Sequence, residues 1–431
     1  MNANSPTSKS TMGPMVIIGV LFFIFGFVTW INGPLITFVK LAFGLDTFAK
    51  AFMVTTAFYM AYFFLALPSS WILERTGMKR GMALGLLVMA VGAFIFGTYA
   101  TQRNYNISLA GLFVIGSGLS LLQTASNPYI SILGPIETAA RRISIMGICN
   151  KLAGILSPIV ISALVFKDVR DLEKRVAEAG SHEAGEAILN EFASKIYAPY
   201  MVMALILVLL AIWVAKSSLP EINASELNAE PVGDTSLAKE KTSILQFPHL
   251  LLGALCIFLY VGVEVMAGDA IGAYAQGFHI PAEETTIYTS FTLGAMLVGY
   301  LIGLFTIPKI ITQGQALKIS AVLGLIFTVG AYFTTGYISV AFVALLGLSN
   351  ALMWPAIWPL AIAGLGKFTE KGSALLVMGI AGGAVIPQLF ASLKDRFDFQ
   401  LVFLVLMSLC YLYILYYAGR GHKAGKQRAS S

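Results

Sequence analysis

Charged residues are scarce in this chain. Asp, Glu, Lys and Arg make up 12% of its 431 residues, whereas a typical soluble domain carries about 25%. Hydrophobic residues account for 57% of the chain. This composition excludes an ordinary soluble protein and predicts a protein that lies in a bilayer, in contact with membrane lipids.

Cysteine and histidine are also rare. The three cysteines, at 149, 256 and 410, lie far apart in apolar segments, which excludes a disulfide framework and a thiolate metal cluster. The four histidines fall in loops or at the ends of apolar segments, and the sequence carries no nucleophile–base pair or phosphate-binding loop. An enzyme is therefore the least expected class, and we predict no cofactor.

Long apolar segments dominate what remains. A helix needs roughly 20 apolar residues to cross a bilayer, and many segments of this chain reach that length. Segment 167–197 instead alternates charged and small apolar residues, which predicts short surface helices. We predict an all-α membrane protein with spans at 15–39, 49–73, 81–100, 107–133, 143–166, 198–216, 249–276, 286–308, 317–334, 338–365, 373–393 and 400–418.

Basic residues are unevenly distributed between the loops. If both termini lie on one side, 17 Lys and Arg fall on that side and 10 on the other, five of them in the long segment 167–197. Because short cytoplasmic loops are enriched in Lys and Arg, we expect both termini in the cytoplasm. This dispersal also argues against nucleic-acid binding, despite the net charge of +6.

The chain divides into two related halves. The polar segment 217–247 reads as a linker between an N-terminal half, 1–216, and a C-terminal half, 248–431. The sequence Gly-Leu-Ser at 118–120 recurs at 347–349, and Met-Gly-Ile at 146–148 recurs at 378–380, at nearly constant spacing. Parallel repeats of six spans are the plan of the major facilitator fold, in which a monomer suffices and the substrate binds between the halves.

Only three acidic or basic side chains lie well inside the spans: Lys151, Glu264 and Asp269. Charges at this depth are unfavourable and usually mark a pathway. Lys151 either snorkels to the interface or is a cavity cation that pairs with a carboxylate. Glu264 and Asp269 could carry a proton, bind a hard cation such as Na⁺ through oxygen, or only pack between helices.

Amide side chains form a second polar set. Gln123 and Asn127 are four residues apart and share a helix face, and Pro128 is expected to break the helix beside them. Asn32 and Asn150 add amides on two other spans. Such groups suit the hydroxyls of a polyol, although amides also join membrane helices by hydrogen bonds.

Aromatic residues occur in the middle of spans. Trp354 and Trp358 are four residues apart, each followed by proline, and Tyr260 shares a face with Glu264. An indole offers an apolar plate and one N–H donor, so these residues can stack on a sugar. Gln388, just after Pro387, is a weaker candidate for the same site.

Several of these segments resemble the fucose–proton symporter family, within it the glucose/galactose transporters and their N-acetylglucosamine-permease relatives. The resembling stretches are FGFVTWINGPLITFVK, LQTASNPYISILGP, ICNKLAG, FLYVGVEVMAGDAIGAY and MWPAIWPLAIAGLG. The resemblance implies the major facilitator fold, with twelve helices in two six-helix halves, and cation-driven uptake of a monosaccharide across the bacterial inner membrane.

The chain departs from the fucose transporters at two positions. Those transporters carry Asp after the Asn of the first span and Glu in the fourth, where this chain has Gly33 and Gln123. The remaining acids, Glu264 and Asp269, move the expected coupling site to the C-terminal half. Two carboxylates and several amide oxygens tilt our expectation towards sodium rather than the proton.

The leading hypothesis is therefore a secondary active sugar symporter. Glu264, together with Asp269, would bind the driving cation, and Lys151 would be a charge partner. The alternatives are a major facilitator exporter of apolar compounds and a sugar sensor that does not transport. The sugar would be held by Asn32, Gln123, Asn127, Asn150, Tyr260, Trp354, Trp358 and Gln388.

Overall fold

A computed structural model of the protein describes residues 12–132, 139–166, 172–220, 242–307 and 309–425. Within these residues, 12 helical segments are long and apolar enough to cross a membrane. The prediction of an all-α protein with twelve spans is confirmed. Spans 1 to 12, in order, comprise Met12–Trp30 with Asn32–Ala42, Met53–Thr76, Met78–Thr101, Tyr105–Ile132, Ala139–Val165, Tyr197–Lys216, Pro248–Gly268 with Ile271–Gln276, Tyr288–Thr306, Gln313–Phe333, Gly336–Asn350 with Met353–Ile362, Thr369–Met378 with Gly382–Leu393, and Phe399–Gly419.

Short helices occupy the connections between spans. Two of them lie in segment 167–197, which confirms the predicted surface helices there. Most of the predicted linker, residues 221–241, lies outside the described residues, so the exact limits of the two halves stay a prediction. The short elements are the α-helices Phe48–Ala51, Leu172–Ala177, His182–Ser194 and Ala282–Thr285, and the 3₁₀ turns Ile244–Gln246, Gly366–Phe368, Gly379–Ala381 and Gly421–Lys423.

Span 6 shows how the outer surface suits lipid. Val202, Leu205 and Leu209 follow one another at helical spacing, and each side chain is more than half exposed. An apolar stripe of this kind would promote aggregation in water, whereas acyl chains cover it without loss. These exposed residues therefore face the bilayer.

Spans 1 and 10 are interrupted where proline removes a helical hydrogen bond. Span 1 is interrupted at Ile31, and Pro34 follows in the first turn of the new helix. Span 10 is interrupted between Asn350 and Met353, and Pro355 follows in the same way. Proline has no N–H to donate to the carbonyl four residues earlier, so the helix restarts after that point.

Span 7 is interrupted without proline. The Val265 carbonyl accepts from the N–H groups of both Asp269 and Ala270, at 2.8 and 3.1 Å, which ends the regular helix. Two carbonyls just before the break accept from the hydroxyls of Thr289 and Thr292 on span 8, at 2.9 and 2.7 Å. Because lipid offers no hydrogen bonds, these donors allow the break to lie within the bundle.

Span 4 behaves differently from our expectation. Its helix continues from Tyr105 to Ile132, through residue 128, so the prediction that Pro128 breaks this helix is wrong. Proline lacks a backbone N–H, but the loss of one hydrogen bond does not end the helix here, because a long helix inside a bundle tolerates one missing bond.

Since the number of spans is even, span 1 begins and span 12 ends on the same face of the bundle. We call this face the terminal face and the other the opposite face. Odd-numbered spans begin on the terminal face and even-numbered spans end there. This convention gives every side chain in a span a depth that can be read from its residue number.

Tight helix packing within the C-terminal half depends on Gly382. A Cβ atom at this position would lie 1.7 Å from the Phe258 carbonyl oxygen of span 7, whereas a Cβ at Gly294 would meet nothing within 4 Å. We expect Gly382→Ala to separate spans 7 and 11 and to lower the thermal unfolding temperature of the purified protein. Gly294→Ala is the matched control and should leave that temperature unchanged or slightly higher, because Ala favours a helix by up to about 1 kcal/mol. Equal unfolding temperatures for the two variants would contradict this packing.

Candidate functional site

A cavity of ≈ 110 Å³ lies between the two halves. This volume is smaller than the about 300–1,000 Å³ of a typical ligand pocket. Four spans of each half contribute residues to its wall. Several of these residues lie in the parts of the spans near the terminal face. The wall consists of Phe22, Phe25, Thr29, Trp30, Tyr59, Tyr62, Gln123, Asn127, Ile143, Gly147, Asn150, Lys151, Tyr260, Val261, Glu264, Val265, Tyr300, Trp354, Pro355 and Ile380.

An ion pair joins the halves at the cavity wall. The Lys151 Nζ lies 2.9 Å from Glu264 Oε1, and the two side chains are only 7% and 12% exposed. Of the two roles considered for Lys151, this position fits the cavity cation rather than a side chain that snorkels to the interface. The pair is electrically neutral, so both charges can remain in a low-dielectric site.

Trp30 lies between the halves directly beside this pair. The Lys151 ammonium is 4.4 Å from the centroid of the indole ring, a distance at which the ring quadrupole attracts a cation. A Cβ on Gly154 of span 5 would be 2.5 Å from the ring, and so would a Cβ on Gly268 of span 7. Only glycine at both positions lets the halves approach the indole this closely.

The amide side chains are anchored on one side and face the cavity on the other. Gln123 donates to the Tyr62 hydroxyl at 2.7 Å, and Asn150 accepts from the Trp30 indole N–H at 3.4 Å. Asn127 lines the wall one helical turn from Gln123. The structure thus brings together three of the five amides that we predicted to bind the sugar.

The predicted aromatic plate is present but presents one indole to the cavity. Trp354 lines the wall, with Tyr260 near it at a ring distance of 6.3 Å. Trp358 stacks on Trp354 with centroids 5.2 Å apart and planes 29° apart, and it does not line the cavity wall described here. Trp358 therefore packs against Trp354 and does not face the cavity itself.

Three other predicted residues also lie outside this wall. The amide of Asn32 is fully buried at the break of span 1, and neither of its polar atoms has a hydrogen-bond partner among the described residues. Gln388 contacts span 2 and the short helix before it, accepting from the Thr56 hydroxyl at 3.2 Å and donating to the Ala49 carbonyl at 3.0 Å. Asp269 is 2% exposed and lies at the break of span 7.

Sequence reasoning missed four wall residues that carry hydroxyl groups: Thr29, Tyr59, Tyr62 and Tyr300. Tyrosine is common in membrane spans, so composition did not distinguish these from packing residues. The spacing of Tyr59 and Tyr62 on span 2 was an available signal, because residues three apart share a helix face.

Hydrogen bonds close the space between the halves on the opposite face. The Ser162 and Thr286 hydroxyls lie 2.8 Å apart, and the Ser290 hydroxyl donates to the Ile155 carbonyl at 2.8 Å. Gln388 adds its bonds to span 2. These contacts join spans 5 and 8 and spans 2 and 11, so the cavity is sealed on this face.

Lys394 reinforces this seal at the end of span 11. Its ammonium lies 3.7 Å from the centroid of Phe48, in the N-terminal half, and donates to the Ala273 carbonyl at 2.9 Å. Burial lowers the pKa of Lys394 to about 8. The side chain therefore remains mostly charged at neutral pH, and the cation–π contact between the halves persists there.

These features have a counterpart in known proteins. The profile of the Major Facilitator Superfamily matches residues 18–386. The chain belongs to the major facilitator superfamily. It is therefore a multi-pass membrane protein, and the predicted arrangement of twelve helices in two six-helix halves is confirmed.

Curated relatives narrow the comparison within the superfamily. A glucose/galactose transporter of Brucella abortus is 32% identical over 427 residues, covering 98% of each chain. The L-fucose-proton symporter of Escherichia coli is 26% identical over 391 residues, covering 90% of this chain and 88% of its own. The resemblance to the fucose–proton symporter family is confirmed by these matches, and the relatives are transporters rather than enzymes.

A solved structure agrees with this assignment at the level of the fold. The crystal structure of FucP, a major facilitator transporter in the outward conformation, matches with a TM-score of 0.74 at 24% identity. The match covers 97% of this chain and 100% of that one. At this identity the likeness establishes the fold alone.

The ion pair between the halves can be tested by a double-mutant cycle. Removing one member of a buried pair leaves the other charge uncompensated, which costs about 3–5 kcal/mol. We expect Lys151→Met and Glu264→Gln each to lower the free energy of unfolding by up to that amount. The double variant should recover much of the loss, because it leaves no buried charge.

Unfolding of purified protein by denaturant in detergent measures these differences. The exposed pair between Lys50 and Asp46, at 3.1 Å, is the control, because exposed ion pairs contribute little. Its removal by Lys50→Met should change stability only slightly. Additive losses in the double variant would show that Lys151 and Glu264 act independently and would refute the pair.

Proposed function

We propose that this protein imports a monosaccharide across the bacterial inner membrane by symport with a cation, using alternating access. The observation that carries the proposal is a cavity between the halves whose wall combines three amides, two indoles and a neutral ion pair. The names of the relatives, glucose/galactose transporter and L-fucose-proton symporter, support the same substrate class.

The cavity wall supplies the two kinds of contact that a sugar ring needs. Gln123, Asn127 and Asn150 offer amide donors and acceptors to hydroxyl groups. Trp354 offers a flat apolar surface for the C–H face of the ring, and Trp358 holds that surface in place by stacking. Tyr260 lies beside Trp354 and forms part of the cavity wall on span 7.

Transport requires that this site open to each face in turn. The contacts on the opposite face are made between the halves, and the cavity extends from mid-span towards the terminal face. With both termini in the cytoplasm, this arrangement corresponds to an inward-facing state. Rocking of one half against the other would break the Gln388 and Lys394 contacts and expose the site to the outside.

The coupling ion is a monovalent cation, and we favour the proton over sodium. The sequence favours sodium, because carboxylates and amide oxygens are available. Lys151, however, already occupies the Glu264 carboxylate at 2.9 Å, which leaves that oxygen less suited to a second cation. The name of the L-fucose-proton symporter relatives also favours the proton.

The alternatives are an exporter of apolar compounds and a sugar sensor. An exporter of apolar compounds would have no need for the buried ion pair and the three amides that this wall carries among its apolar side chains. A sugar sensor would bind in the same cavity but would not reorient. One chain contains the whole cavity, which supports our expectation of a functional monomer.

Replacing Trp354 tests the sugar site directly. We expect Trp354→Ala to raise the sugar concentration for half-maximal counterflow about tenfold, since losing the stacking surface costs about 1.4 kcal/mol. The measurement is counterflow of labelled glucose, galactose or fucose into proteoliposomes. Counterflow also separates a carrier from a sensor, because only a carrier exchanges sugar across the membrane.

Trp213→Ala is the matched control. Trp213 lies on span 6 and is 41% exposed on the outer surface, so its loss should not affect the half-saturation concentration. An unchanged half-saturation concentration in Trp354→Ala would show that Trp354 and Trp358 only pack between helices and do not bind the sugar. Absence of counterflow for every monosaccharide in the wild-type protein would refute the proposed function.

A further inference from the structure

The two acids of span 7 differ in how their charge is compensated. Glu264 is paired with Lys151. Asp269 is 2% exposed, and within the described part of the chain it forms no ion pair with a basic side chain. With all three groups ionised, the junction of the halves would carry one uncompensated negative charge, which is unfavourable in a low-dielectric interior. One added positive charge would neutralise it.

The surroundings of Asp269 determine what that positive charge can be. Its Oδ2 accepts from the Tyr59 hydroxyl at 3.3 Å, and the main-chain N–H of Gly33, in the first turn of Asn32–Ala42, lies next to the carboxyl. Hard cations are held by several oxygen ligands, whereas these groups present hydrogen atoms. A proton, which needs only one oxygen, fits better than Na⁺.

One carboxylate oxygen is left for that proton. Asp269 Oδ1 is buried and has no hydrogen-bond partner among the described residues. The titratable groups around it are Tyr59 on span 2, Lys151 on span 5 and Glu264 on its own helix. Since Lys151 is held by Glu264, Oδ1 is the atom at this junction that can accept a proton without displacing an existing ion pair.

The enclosure of Asp269 is formed by both halves. Tyr59 and Gly33 belong to the N-terminal half, while Asp269 and Thr289 belong to the C-terminal half. A Cβ on Gly33 would lie 2.2 Å from the Thr289 hydroxyl, so the two halves are in close contact here. Separation of the halves on the opposite face would expose the carboxyl to water, and closure would bury it again.

We propose that Asp269 is the proton-binding group of the transport cycle, that Tyr59 seals it, and that Glu264 remains paired with Lys151. This inference rests on the proposed sugar symport. A proton from the outside binds Oδ1 while the opposite face is open, and the neutral acid permits that face to close. Tyr59 lines the cavity and contacts Asp269, so the proton leaves past it to the terminal face. The bare carboxylate then favours reopening of the opposite face.

Asp269→Asn imitates the protonated acid and provides the main test. In proteoliposomes, we expect this variant to retain counterflow of labelled sugar but to lose accumulation driven by an inside-alkaline pH gradient, so that the internal concentration no longer exceeds the external one. The matched control is Asp398→Asn, which removes an exposed acid at the start of span 12. That variant should accumulate sugar like the wild-type protein.

A second measurement does not depend on sugar. Infrared difference spectra of the purified protein during a pH titration should contain a carboxylic-acid C=O band that is missing in Asp269→Asn. Persistence of that band, or pH-driven accumulation by Asp269→Asn, would overturn the inference. Wild-type accumulation that follows a sodium gradient and ignores a pH gradient would also overturn it. A titrating Asp269 band without counterflow of any monosaccharide would instead refute the sugar function alone.

Tyr59→Phe keeps the test decisive if Asp269→Asn does not fold. Removing the donor to Oδ2 makes the ionised form less favourable, so the pH for half-maximal accumulation, and the midpoint of the infrared band, should move to higher pH. Tyr274→Phe is the matched control, because it removes a buried hydroxyl contact with Ser339 at 2.7 Å inside the C-terminal half. Equal pH profiles for Tyr59→Phe and the wild-type protein would show that Tyr59 has no role in proton binding.

Discussion

The ion pair between Lys151 and Glu264 is the interaction on which the arrangement of the site depends. Its members come from different halves, and each would be unfavourable alone in the interior of a membrane protein. Their mutual attraction holds spans 5 and 7 at a fixed distance, with the Trp30 indole between glycines of the same two spans. The cavity wall and the contacts that seal the opposite face are arranged around this junction.

Interrupted helices give the junction its polar character. Spans 1 and 7 break at nearly the same depth, and the backbone N–H of Gly33 lies next to the Asp269 carboxyl there. The break of span 7 places Asp269 against Tyr59 and Gly33, and threonines of span 8 satisfy the freed carbonyls. The polar groups at this depth therefore belong to contacts between helices, and regular uninterrupted spans would not present them to one another.

Residue type and spacing in the sequence single out many of the side chains that line the cavity. The three intramembrane charges were expected to lie near the pathway, and two of them form the ion pair at the cavity wall. Gln123, Asn127, Asn150, Tyr260 and Trp354 line the cavity, as proposed from amide and aromatic spacing. Trp358 and Gln388 carry similar signals but lie outside the wall, because helix periodicity gives a face without saying which neighbour that face meets.

Local residue patterns were enough to predict the bilayer environment, the number of spans and the family, because bilayer thickness requires long apolar segments and the motifs are local. Which charges compensate one another depends instead on how the two halves pack. Lys151 and Glu264 are 113 residues apart, and Tyr59 and Asp269 are 210 apart. Partners so distant along the chain meet through packing of the two halves, and local residue patterns contain no record of that packing.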